Sequence, residues 1–129
     1  MAIKHNYVRA FLPLTLVVFS LSCSSNSPEA VVIRFYKNLN AGEYSKTREM
    51  YSAEALQFID AQLPGDRFIQ WADMETRKGT ISDVNVKSAD TRGEKSDLSL
   101  TLSYKDGASV ERTVTLKQEN GDWKLGLIR

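Results

Sequence analysis

Helices first, then antiparallel strands with the helices packed on one face of a curved sheet: this α+β class is what the sequence predicts. Three observations carry the prediction. Between residues 28 and 76 apolar side chains recur at helical spacing. After Gly79 the period changes to two. Asp-Gly and Asn-Gly pairs then separate the alternating runs, and such pairs favour tight hairpins.

Ser27-Pro28-Glu29 opens the first helix. Serine is a favoured N-cap, proline has its φ preset for the first turn, and glutamate meets the positive end of the helix dipole. Val32, Phe35, Tyr36 and Leu39 form its apolar stripe, Arg34, Lys37 and Asn38 fall away from it, and Gly42 stops it. Residues 43–50 offer a short second helix with Tyr44, Thr47 and Met50 or Tyr51 on one side. Ser52 caps a third, with Ala55, Leu56 and Ile59 inward. Leu63-Pro64-Gly65-Asp66 breaks the chain. Asp66 then caps a fourth segment whose apolar content is Phe68, Ile69, Trp71 and Ala72, ended by Arg77-Lys78-Gly79.

In the strands, Val84 and Val86 alternate with Asp83, Asn85 and Lys87. Leu98, Leu100, Leu102 and Tyr104 alternate with polar residues, the pattern of a half-buried strand with one wet face. Val110, Val114 and Leu116 share a face of the next strand. Trp123, Leu125 and Leu127 alternate with Lys124, Gly126 and Ile128.

The first 22 residues have a different character. Lys4 and Arg9 make a basic start, and Phe11 to Leu21 is apolar apart from Thr15 and Ser20, with Pro13 inside it. That is the pattern of a secretory leader; the alternative is an N-terminal membrane anchor that stays uncut, against which stand Pro13 and an apolar run about half of the ~20 residues a spanning helix needs. Cys23 follows at once and is the chain's one cysteine, so no internal disulfide can form. The expected organisation is a leader over 1–22, a polar tether over 23–27 and one α+β domain over 28–129. The one histidine, His5, belongs to the leader. A mature chain beginning at Cys23, with that thiol acylated, thus lacks histidine and a free thiol. No transition-metal site, no cofactor and no His- or Cys-based catalysis is expected. A formal charge of +1, with both signs spread along the chain, does not predict a nucleic-acid partner.

Ser20-Leu21-Ser22-Cys23 resembles the lipobox of bacterial lipoproteins, in which the cysteine is lipidated and the leader cut before it. Ser22 and Cys23 fit that motif, while Ser20 and Leu21 stand outside its usual order. The resemblance implies an exported protein anchored to a bacterial membrane through Cys23. Ser24, rather than Asp, after the cysteine resembles the outer-membrane sorting pattern of Gram-negative lipoproteins. From Pro28 to Leu127 the chain resembles the domain-of-unknown-function family 4878, through "SPEAVVIRFYKNLNAGEYSKTREMYS", "GTISDVNVKS" and "LSLTLSYKDGASVERTVTLKQENGDWKL". That family is similar to the nuclear-transport-factor-2-like superfamily, which implies a cone of helices folded into a bent sheet. Family membership implies no established activity.

A cone of this kind can hold a pocket between helices and sheet. Arg112 has the strand parity of Val110, Val114 and Leu116, so alternation points it inward, where an unpaired charge is costly. Either it anchors an anion or carboxylate, or a bulge turns it out, or a salt bridge at the rim holds it. Tyr36, Trp71 and Tyr104, with Tyr51, form either an aromatic pocket wall or core with polar tips at the edge. Asp73 is a candidate base beside an apolar stretch, while Glu54 and Asp60 read as a solvated helix face. "SLTLSYKD" is a strand whose uncharged polar face would dock a partner strand if it lay at an edge. The expected function is a non-catalytic envelope lipoprotein that binds a small ligand or a protein partner, with no catalytic residue assigned. The alternatives are a small enzyme using Asp73 with Tyr36 or Arg112, a structural envelope component, and a sheet-to-sheet homodimer.

Overall fold

The computed structural model describes residues 26–76 and 80–128. Leader residues 1–22 and Cys23 lie outside the described residues, as do Arg77, Lys78, Gly79 and the side chain of Leu127. Within them the helices come first: α1 (Pro28–Asn40), α2 (Tyr44–Glu49), α3 (Ala53–Gln62) and α4 (Arg67–Thr76). The strands follow as β1 (Ile81–Arg92), β2 (Lys95–Tyr104), β3 (Ser109–Glu119) and β4 (Asp122–Ile128), an antiparallel meander in the order β1-β2-β3-β4. No helix among the described residues is long and apolar enough to cross a membrane.

Caps fix the helix starts as the sequence predicts. Ser27 Oγ accepts the Ala30 N–H at 3.1 Å, and Ser52 Oγ accepts the Ala55 N–H at 3.1 Å. α1 buries Val31, Val32, Phe35, Tyr36 and Leu39. These meet the inner face of the sheet, where Leu98, Leu100, Leu102, Val114, Leu116 and Leu125 are buried. Ile69, expected among the apolar content of α4, is exposed; Phe68, Ala72 and Thr76 are the residues that face turns inward.

β2 is paired on both sides, so its Ser/Thr stretch is not at an edge and its backbone is already used. The edges are β1 and β4. Part of β4 is covered by a parallel bridge between Tyr51 and Leu125, in which Leu125 O accepts from Ser52 N–H at 2.8 Å. β1 is sealed at its start by Asn40: the Ile81 N–H donates to Asn40 Oδ1 at 3.1 Å, and Asn40 Nδ2 donates to Ile81 O at 3.2 Å. The carboxamide stands in for one residue of a neighbouring strand. Further along, register shifts at Ser82 and Lys87 kink β1, and bulges with a lysine blunt an open edge.

A third shift lies between Val114 and Leu116 of β3, which pair with Ile128 and Leu125. Two β4 residues therefore stand opposite Thr115. This bulge turns Ile128 towards the inner side, against the simple alternation that puts it with Lys124. On the outer face Arg92, Lys95, Lys117 and Lys124 pair across all four strands. Acidic pairs flank this row on both sides, Asp90 with Asp97 and Glu119 with Asp122.

Candidate functional site

Arg112 points inward, opposite Leu100 of β2. There Glu75 of α4 clasps it with both oxygens: Nε donates to Oε1 at 2.9 Å and Nη2 to Oε2 at 3.2 Å. The two side chains are 26% and 11% exposed, so this is a salt bridge at the rim of the cone. The fork geometry matches guanidinium to carboxylate, and the Glu75 contact holds Arg112 charged, above its ordinary range. Tyr104 joins the cluster by donating its hydroxyl to Glu75 O at 2.7 Å. Tyr36 feels the charges of both Glu75 and Arg112; it is 1% exposed, and its hydroxyl has no hydrogen-bond partner among the described residues. Burial, and then the charge of Glu75, push the phenols of Tyr36 and Tyr51 well above the usual tyrosine range. Neither is poised to act as a base near neutrality.

Three of the four predicted ligand residues, Tyr36, Tyr104 and Arg112, therefore meet, around a carboxylate that sequence reasoning missed. The signal for Glu75 was present. From Phe68 and Ala72 the helical period carries the same face to Glu75 and Thr76. Asp73 is about 100° further round the helix from Ala72. It accepts a hydrogen bond from Tyr44 instead, outside the cluster. Asp60 pairs with Arg48 at 2.8 Å and Glu54 with Lys117 at 3.3 Å, both on the surface.

Trp71 lies on the other flank of α4, in a separate cleft between α3, α4 and the end of β4. Tyr51, Phe58, Ile59, Leu63, Phe68 and Ile128 complete its apolar wall, with Gln62 at the side, around about 130 Å³. Tyr51 meets Phe68 edge to face, 6.3 Å apart at 82°, while Phe68 and Trp71 lie 5.6 Å apart at a tilt of 42°; behind them Phe35 stands edge-on to Tyr51 at 5.4 Å and 84°. Arg48 sits 5.5 Å over the Phe68 ring. Phe58 at the lip is 50% exposed. A wider open groove, about 980 Å³, runs between α3 and the outer face, with Glu54, Asp97, Lys95 and Lys117 on its walls.

No protein-family model matches the chain, and no curated protein matches its sequence. Solved structures do resemble it in fold. A putative NTF2-like transpeptidase from Campylobacter jejuni superposes with a TM-score of 0.61 at 16% identity, covering 78% of this chain and 98% of the other. The fold is NTF2-like. A SEC-C motif containing protein from Rhodopseudomonas palustris matches the same NTF2-like body with a TM-score of 0.63 at 14% identity, over 81% of this chain and 79% of that one. A de novo designed protein with a curved β-sheet follows at a TM-score of 0.51 and 14% identity, over 80% and 97%. At such identities the likeness is one of fold, and chemistry has to come from the side chains of the NTF2-like body itself.

Proposed function

We propose that the chain is a bacterial lipoprotein, anchored in the cell envelope through a lipidated Cys23, whose body binds a protein partner and performs no covalent chemistry. In a Gram-negative host the membrane is the outer one. The anchor and the placement in family 4878 rest on the sequence resemblances. The binding role rests on one observation, the size and lining of the α3–α4 cleft.

A volume of about 130 Å³ is near the ~150 Å³ of a cavity that takes benzene, and below the roughly 300–1,000 Å³ of small-molecule sites. It accommodates one apolar side chain, and the aromatic lip of Phe58 and Trp71 suits an anchor residue presented by a partner. The enzyme reading has less support. Glu75 and Arg112 neutralise each other, Tyr36 stays protonated, and Asp73 is engaged by Tyr44.

Two measurements test the halves separately. Mass spectrometry of protein purified from membranes should show an acylated Cys23 in the wild type, with loss of the acyl mass and release from the membrane in Cys23→Ala. An intact, unlipidated residue 1 on the wild type overturns the anchor. A photo-crosslinking residue in place of Phe58 should capture one discrete protein in cells, and the same residue in place of Ser99 on the outer face should not. Equal adducts at both positions, or none at Phe58, overturn the cleft.

A further inference from the structure

A third hollow lies where the described chain begins. It measures about 230 Å³, and its lining includes Asn26, Arg34, Met50, Asp122, Trp123 and Lys124. Sequence and fold together place these residues. Arg34 follows the buried Val31 by three positions, so it stands on the adjacent flank of α1. Asp122, Trp123 and Lys124 open β4 straight after the Asn120-Gly121 turn.

The charges are the informative part. Arg34 is exposed and has no ion-pair partner among the described residues. Lys124 Nζ donates to a carbonyl, Glu49 O, at 2.9 Å, and has no ion-pair partner among the described residues. Asp122 supplies one negative charge to the same hollow. Two cations and one carboxylate around one space complement a zwitterion made of a phosphate and an ammonium group. A partly exposed indole such as Trp123 suits the headgroup level of a bilayer, and its ring face attracts ammonium ions. Position points the same way. Cys23 precedes Asn26 by three residues, so at full extension the tether spans at most about 11 Å.

We infer that this hollow receives the headgroup of a zwitterionic aminophospholipid of the membrane, its phosphate against Arg34 and Lys124 and its ammonium against Asp122. The body is thereby held in one orientation, with the start of β4 towards the bilayer. The inference rests on the Cys23 anchor proposed above.

The test uses the mature lipidated protein carrying Trp71→Phe, which leaves Trp123 as the one tryptophan. Its acyl mass is read first; a protein without it fails at the anchor, before any question about the headgroup arises. The acylated protein is then placed in phosphatidylcholine–phosphatidylethanolamine vesicles with a headgroup spin label. Trp123 emission should be quenched at least two-fold. Arg34→Glu with Lys124→Glu should abolish most of the quenching. Asp122→Lys should weaken it in these vesicles and restore it when phosphatidylglycerol replaces the ethanolamine lipid. Acylated wild type without quenching, or quenching unchanged in the double variant, overturns the headgroup site, as does an Asp122→Lys protein indifferent to lipid class.

Discussion

Tyr36 combines deep burial with a hydroxyl that has no hydrogen-bond partner among the described residues. A buried polar group without a partner costs about 1–3 kcal/mol. Tyr36→Phe should therefore raise the free energy of unfolding by about 1 kcal/mol in a urea titration. A loss of that size would mean instead that the hydroxyl is satisfied through a bound water. The neighbouring ion pair gives the opposite expectation. Glu75→Gln leaves the Arg112 guanidinium facing a neutral amide in a largely enclosed place. Breaking a fully buried pair costs about 3–5 kcal/mol, and partial exposure here reduces that to roughly 2 kcal/mol. Adding Arg112→Met to Glu75→Gln should recover much of the loss, and a double-mutant cycle reads the coupling directly. Both residues lay within reach of sequence reasoning to different degrees. Strand parity aimed Arg112 inward and physics demanded a partner. Glu75 was legible only to a reader who extended the Phe68–Ala72 face through a charged residue.

At the scale of elements, local chemistry fixed the boundaries well. Ser27 and Ser52 cap helices because their hydroxyls accept backbone N–H groups three residues on, a purely local act. The hairpin glycines Gly107 and Gly121 adopt the left-handed backbone their turns require. The bulges at Ser82, Lys87 and Gly126 were not legible, since a bulge records how one strand's register and curvature fit the next. Gly126 shows the constraint. A Cβ there would lie 3.0 Å from the Thr115 carbonyl oxygen, a backbone atom of the neighbouring strand rather than the end of a flexible side chain. Gly126→Ala should destabilise the fold by roughly 2 kcal/mol, as overpacking usually does. It should also disturb Ile128, and with it the wall of the cleft. Thermal unfolding checks the first expectation, and crosslinking from position 58 in the variant checks the second. No change in either would mean that β4 shifts to accommodate a methyl group at little cost.

Over the whole molecule, one layer of helices on one face of the sheet buries the phenols of Tyr36 and Tyr51. The sequence foretold the layers, because period and turn chemistry are local, but not where the space between them would remain. The cone is filled around Tyr36 and Arg112, and the open cleft lies at Trp71, between α3, α4 and the end of β4, where no sequence motif marks it. The filling has a consequence in alkali. Tyr36 and Tyr51 have folded-state pKa values raised above the unfolded value of about 10. Their protonated forms are common to both states below that pH, so their contribution to stability is fully present there. As pH rises past it, the unfolded chain loses two phenolic protons that the folded chain keeps, and the equilibrium moves towards unfolding. With two such groups the loss approaches about 2.7 kcal/mol per pH unit. Denaturant titrations above that pH should show a slope of this order, and Tyr36→Phe should remove one phenol's share of it, about 1.4 kcal/mol per pH unit. Tyrosinate absorbance should report both phenols only as the sheet is lost. Reversible ionisation of both near pH 10, with circular dichroism unchanged, would show that water reaches the interior of the cone in the folded state.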